Sequence, residues 1–245
     1  MNQDSKGIVS HVFGSSEWFT LAKEKLGGVQ IEYSKLLEAT WQGPYLSPKD
    51  KWLILVGIFL AQGRREELSR VLANVRQQGM VSPEELVEVV ATVFISRGPL
   101  VLHEAFHQGI LSHDQILNFS VDADGPQLNK AQILEYFLTN IGNIPNWIDE
   151  LSKTVPDGLE LYYSWRNRTL SNGILPRKIK ELVLVAVNAA GLYKEGIRIH
   201  SFGCLQAGGN ENELREALLV AFVSSGVVAW IEGIRTLDEF GILRD

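Results

Sequence analysis

Glu181 and His200 are the residues in this chain best suited to move a proton. A carboxylate beside an imidazole favours the charged ring, whereas burial favours the neutral one. Such a pair can pass a proton to and from a substrate carbon or oxygen, an effect typically worth about 10²–10⁴ in rate. The same two residues could equally form a buried structural hydrogen bond. Cys204, one helical turn after His200, is the only cysteine. It reads either as a lone redox thiol without a resolving partner or as a small buried hydrophobe. A third group, His103-Glu104-Ala-Phe-His107, has the spacing with which two histidines on one helix face share a zinc ion and the glutamate acts as base. His113 even falls at the third-ligand position of the longer form of that motif. That form needs a glycine three residues after the second histidine, however, and Ile110 stands there, with Gly109 one place early. No metal site is therefore expected.

Helices must position these groups. Glu181, Leu184, Val185 and Asn188 recur on one helical face, as do Gly196, His200, Gly203 or Cys204, and Ala207. Ser82-Pro83-Glu84-Glu85 and Glu211-Asn-Glu213 have the composition of helix N-termini, and Gly79 and Gly208-Gly209 that of helix ends. No period-2 run bounded by turn residues is present, so strands are not expected.

The chain also repeats itself. Residues 46–106 align with 175–234 when one residue is taken as inserted in the first copy. Matched pairs include Leu46/Leu175, Lys49/Lys178, Lys51/Lys180, Ala61/Ala190, Gly79/Gly208, Glu85/Glu213, Glu88/Glu216, Phe94/Phe222 and Gly98/Gly226. Two copies are too few for a solenoid, so a fused pair of related domains is expected. A polar stretch carrying Asp122-Ala-Asp-Gly-Pro126 marks the boundary, giving units 1–120 and 121–245. Lead-in helices are expected over 30–42 and 159–170, and a further helix over 127–141. In the repeat alignment Glu104 falls opposite Glu232 and His107 opposite Arg235, which places the zinc-like motif in the last helix of the first copy.

The 245 residues are 45% hydrophobic and 21% charged, with a net charge of −6. That is ordinary for a globular protein and unlike a nucleic-acid binder, because Arg64, Arg65, Arg70 and Arg76 form no basic block. A single cysteine excludes an intrachain disulfide and fits a reducing compartment, so a cytoplasmic location is expected. The first dozen residues lack the apolar core of a signal peptide, and no apolar run reaches the roughly 20 residues of a membrane span.

The stretch from Leu175-Pro-Arg-Lys through Glu181 to Tyr193, Gly196 and His200 resembles the core of the carboxymuconolactone decarboxylase and alkylhydroperoxidase D superfamily. In the peroxidase branch of that superfamily a glutamate is followed by Cys-x-x-Cys-x-x-x-His. Here Tyr193 and Gly196 stand in the two cysteine positions. The first copy resembles the decarboxylases through Leu46-Ser-Pro-Lys, Glu67-Leu68, Gly79 and Gly98. The resemblance implies an all-α fold of two tandem helical repeats and a pocket between the helices carrying Glu181 and His200. It also implies a homo-oligomer, either a trimer or a dimer.

Glu181 and His200 are then the expected catalytic pair. Asn188, Tyr193, Gly196, Cys204, Tyr162 and Trp165 are the candidate substrate contacts. Gly196 and Gly203 are expected to leave room beside the imidazole. In the first copy Trp52, Phe59 and Val71 occupy the positions of Glu181, Asn188 and His200, which reads as a filled site; Glu67 is expected on an exposed helix face. Relatives carry an acidic-Ala-Phe-Arg-like run where His103–His107 lies, a further argument against zinc. The expected activity is that of a cofactor-free lyase or decarboxylase acting on a small carboxylated or lactone substrate. The alternatives are a non-catalytic scaffold with a vestigial site and a single-cysteine peroxidase.

Overall fold

A computed structural model describes residues 12, 17–26, 29–111, 128–155 and 157–243. His113 and the expected boundary at 120/121 lie outside the described residues. Among them the chain is all-α: helices α1 (Glu17–Lys25), α2 (Val29–Trp41), α3 (Pro48–Gln62), α4 (Arg65–Gln78), α5 (Pro83–Arg97), α6 (Leu100–His107), α7 (Lys130–Ile141), α8 (Asn146–Thr154), α9 (Gly158–Leu170), α10 (Arg177–Ala190), α11 (Lys194–Gln206), α12 (Glu211–Ser225) and α13 (Val227–Glu239). None is long and apolar enough to cross a membrane.

The repeat is visible element by element. The series α2–α3–α4–α5–α6 returns as α9–α10–α11–α12–α13, with helices starting at matching repeat positions except for a one-residue shift at the last pair. Local chemistry sets several of these starts. Ser47, Ser82, Asn129 and Asn210 each cap a helix through a reciprocal capping box, their side chains accepting from the third residue's N–H while that residue's side chain accepts from the cap's own N–H. Gly79 and Gly208 adopt positive φ just past α4 and α11, as the sequence leads one to expect of helix ends.

The two copies bury one continuous core. Leu53, Ile54 and Val56 of α3 pack in the same cluster as Val183, Val185 and Val187 of α10 and Leu218 and Ala221 of α12. Helices α3 and α10 approach so closely at Gly57 that a Cβ there would sit 2.6 Å from the Val183 side chain.

Polar groups lock the halves together reciprocally. Lys51 is fully buried and reaches Glu216 of the second copy at 3.2 Å; Lys180 reaches Glu88 of the first at 3.1 Å. Each lysine also donates to carbonyls at the end of its own lead-in helix or just beyond: Thr40, Trp41 and Gly43 in one case, Thr169 and Ser171 in the other. Each glutamate accepts the N–H groups of the loop entering the other copy, Tyr45 and Leu46 or Ile174 and Leu175. Buried charges are tolerable when paired and hydrogen-bonded in this way. A second, smaller cluster from α7, α8 and α9, with Phe137, Ile148 and Tyr163, packs on Ile199 of α11. In the first copy α1 falls opposite α8 at the same repeat offset, and α7 has no counterpart among the described residues.

Candidate active site

Helix α10 carries Glu181 and Asn188 on its buried face, and α11 carries His200 on the face opposite. The His200 Nδ1 lies 2.8 Å from Glu181 Oε2. An ionised carboxylate only accepts, so Nδ1 carries the proton and Nε2 is left with a lone pair. Arg177, one turn before Glu181, donates from Nε to Oε1 at 3.2 Å. The pair therefore sits in a fixed tautomer and orientation, with Glu181 fully buried and His200 8% exposed.

Burial pushes the Glu181 carboxyl up, but the hydrogen bond and charge of His200 and the guanidiniums of Arg166 and Arg177 outweigh it, and the net shift is downward. For His200, burial is the largest influence and favours the neutral ring; Glu181 opposes it, while Arg166 and Arg177 reinforce it, so its pKa falls below the usual 6.5. At neutral pH the resting state is then a carboxylate, a neutral imidazole and two guanidiniums. With the ring neutral, the Nδ1–H hydrogen bond of His200 and, behind it, the charges of Arg166 and Arg177 hold Glu181 ionised.

His200 opens on a cavity of about 450 Å³. With Nδ1 committed to Glu181, Nε2 is the nitrogen available to it. The walls come from both copies. Ile95, Ser96 and Arg97 at the end of α5 face Asn188 and Tyr193, while Phe137, Trp147 and Leu151 of α7 and α8 and Tyr162 and Arg166 of α9 complete the enclosure. A larger cleft of about 640 Å³ opens beside Gly209, Asn210 and Gly241, but neither Glu181 nor His200 lines it, so size alone does not mark the site.

Of the residues singled out from sequence, Asn188, Tyr193, Gly196 and Tyr162 line the cavity with His200. The Asn188 amide is fixed by donating to Leu184 O at 2.8 Å and accepting from Ser96 Oγ at 3.3 Å. Tyr193 is about half exposed and sits at the rim. Trp165 and Cys204 are not brought there. Trp165 turns away to pack on Phe94 of the first copy, ring centroids 5.0 Å apart. Cys204 is wholly buried, its Sγ close against Gly209, and burial pushes its thiol up to about 12.

Of the two expected gaps, the one at Gly196 borders the cavity and the one at Gly203 does not. A Cβ on Gly203 would lie 2.4 Å from the Glu181 carboxylate, and one on Gly196 within 2.7 Å of Asn188. Gly203 is small so that Glu181 can approach α11, and the free volume runs from Gly196 and His200 toward α7 to α9.

The first copy's equivalent is closed. Trp52, Phe59 and Val71 are buried, with Trp52 edge-on to Trp41 at 4.7 Å. Glu67 is not an exposed helix residue; its side chain is 13% exposed and ion-pairs with Arg64 at 2.6 Å. Arg64 in turn covers the Phe59 ring and donates to Ser224 O, and Tyr33 donates to Val223 O. These groups fill the space that is open beside Tyr162, Tyr193 and Gly196.

The zinc-like motif holds no general base. His103 and His107 are exposed neighbours, Nε2 to Nε2 3.0 Å, but Glu104 is buried and held by Arg65 at 2.8 Å. No group of three or more metal-ligating side chains occurs among the described residues.

Sequence reasoning passed over Arg166, Arg177 and Arg97. The repeat carried a signal for the first: Val29–Trp41 and Gly158–Leu170 are matched helices, and their alignment sets Arg166 opposite Leu37.

Residues 156–239 match the model of the carboxymuconolactone decarboxylase family. No curated protein matches the chain. Among solved structures, the fold is similar to that of a candidate gamma-carboxymuconolactone decarboxylase subunit from Burkholderia xenovorans, with a TM-score of 0.61 and 21% identity over 97% of this chain and 96% of the other. That structural likeness extends the shared fold over both copies, beyond the segment the family model matches. Residues 156–239 thus carry a carboxymuconolactone decarboxylase family domain, within a chain whose whole fold is similar to that of this subunit.

Proposed function

We propose that the protein is a non-redox enzyme, a lyase or decarboxylase, that acts on a small carboxylated or lactone substrate without a cofactor. The observation that carries this reading is the Glu181–His200 pair, locked in one tautomer, opening on a cavity instead of being sealed by its neighbours. A dithiol mechanism lacks its sulfurs, since Tyr193 and Gly196 stand in those positions. Cys204 offers no substitute: a buried thiol with a raised pKa supplies little thiolate.

His200 does the proton work in this scheme. Its neutral Nε2 takes a proton from a carbon next to a lactone or carboxyl carbonyl, and the electron pair passes to that carbonyl oxygen as an enolate. A β-carboxylate leaving group is then expelled as a carbon–carbon double bond forms. Where CO2 is lost instead, the breaking C–C bond supplies the same enolate, and a solvent proton relayed through Nε2 quenches it. Glu181 orients the ring and stabilises the imidazolium when it forms. Asn188 and Tyr162 hold the substrate against it. A homo-oligomer, trimer or dimer, in the cytoplasm fits this reading.

The test is turnover of a panel of small lactone carboxylic acids, followed by CO2 release and ultraviolet absorbance. His200→Ala should lose about 10²–10⁴ in rate while keeping its helical circular dichroism. Unchanged turnover would sink the assignment.

A further inference from the structure

Arg166 is a buried charge without a partner among the described residues. It is 5% exposed, it makes no hydrogen bond or salt bridge with any of them, and it is one of the residues that line the cavity His200 opens on. Its one close ring contact is Tyr163, 5.6 Å from the centroid. Glu181 acts on it only through space, because Arg177 and His200 take the carboxylate's hydrogen bonds. A buried guanidinium is costly to desolvate and is normally paired, so one left open toward a cavity calls for an anion from outside the chain.

The companion copy shows that the fold does not need this cation. At the matching position of α2 stands Leu37, buried at 2%. The lysines of the two copies, by contrast, are matched and both are paired. The arginine therefore accompanies the Glu181–His200 pair and is missing where that pair is missing.

We infer that Arg166 is the anchor for a substrate carboxylate, and that the cavity takes a small flat ring acid with its carboxylate on Arg166 and its ring against the aromatic wall that Tyr162 and Trp147 form. The planar fork of arginine matches a carboxylate in two parallel hydrogen bonds, which a lysine cannot reproduce. The aromatic walls suit a ring of lactone or furan size. Arg97 is the competing cation, but it already donates to Val187 O at 2.9 Å and lies against Gly191. This inference rests on the acid–base reading for its substrate class, but binding can be measured apart from turnover.

The experiment is calorimetric titration of the full chain with 2-furoate and with its neutral isostere 2-furamide. The unmodified protein should bind the acid at least tenfold more tightly than the amide. Arg166→Leu, which installs the residue of the companion copy, should lose that preference, whereas Arg97→Gln and His200→Ala should keep it. Arg166→Lys, which retains charge without the fork, should bind the acid more weakly than the unmodified protein. Equal binding of acid and amide, binding of neither, or loss in Arg97→Gln with none in Arg166→Leu would each overturn the assignment. If both Arg166 variants fail to fold, an acid preference kept in Arg97→Gln still supports the assignment, and an acid preference lost there or absent from the unmodified protein overturns it. Intact turnover in His200→Ala would remove the proposed chemistry and leave the carboxylate site standing.

Discussion

The two copies share a scaffold and differ most in chemical character at one place. Lys51 with Glu216 and Lys180 with Glu88 perform the same task in mirror roles, each lysine fastening the end of its lead-in helix to the other copy. Around the cavity the correspondence breaks. Glu181 stands against Trp52, Asn188 against Phe59, His200 against Val71 and Arg166 against Leu37, every polar group facing a buried apolar one. Arg64 and Glu67 then occupy what is open space beside Tyr193 and Gly196. A fold that retains its cross-braces in both halves but its ionisable groups in one has divided its labour. The first copy supplies core and a cavity wall, and the second holds the groups to which the proposed chemistry is assigned.

The comparison can be sharpened by variants, beginning with the braces. Lys51→Met and Lys180→Met each leave a buried glutamate without its cation, and each should cost about 3–5 kcal/mol in denaturant unfolding. Equal losses would mark the braces as symmetric; a large loss in one copy alone would break the parallel. Trp52→Ala removes a buried side chain from the filled site and should also cost about 3–5 kcal/mol, with turnover per folded molecule unchanged. A fall in turnover there would show that the first copy does more than support.

Gly203→Ala is a smaller change with a sharper target. The added methyl meets the Glu181 carboxylate, so the pair must shift. A displacement of about 1 Å in a catalytic group can cost roughly 10²-fold in rate. The equivalent residue in the first copy, Asn74, already carries a side chain, and Asn74→Ala should leave turnover alone.

The smallest expected effect is on stability against pH. His200 titrates lower in the folded chain than its ordinary 6.5, so the unfolded chain binds the proton more readily. Stability is therefore full above about 6.5 and declines on acidification toward the folded pKa, by at most about 1.4 kcal/mol per pH unit for one proton. Glu181, also lowered, adds a decline of the same sign below its ordinary 4.5. Urea midpoints at pH 7.0 and 5.5 should converge in His200→Gln; an undiminished pH dependence in that variant would contradict the neutral-ring assignment.

Much of this was legible in the sequence, for physical reasons. Capping residues such as Ser82-Pro83 and glycine helix ends act locally, so they mark α5 and the end of α4 without reference to the rest of the chain. The repeat follows from residue order, and the expected lead-in helices at 30–42 and 159–170 are found at 29–41 and 158–170. Glu181 and His200 stood out because their types and spacing suit one chemistry. What was hidden depends on packing. The cavity is walled by Ile95 to Arg97 of the other copy and by α8, neither adjacent in sequence to the pair. Open space was expected at Gly196 and Gly203 and is found only beside the first, because whether a glycine leaves a void or admits a neighbour is settled by how closely two helices approach. Cys204 and Trp165 share helices with the site and point elsewhere, since helical spacing fixes a face only to within a broad arc.

The most direct test is one side-by-side measurement: turnover of His200→Ala against turnover of Val71→Ala, its counterpart in the first copy, each normalised to folded protein. The division of labour predicts a loss of about 10²–10⁴ in the first and none in the second. Equal rates in the two variants, whether both intact or both lost, would contradict it.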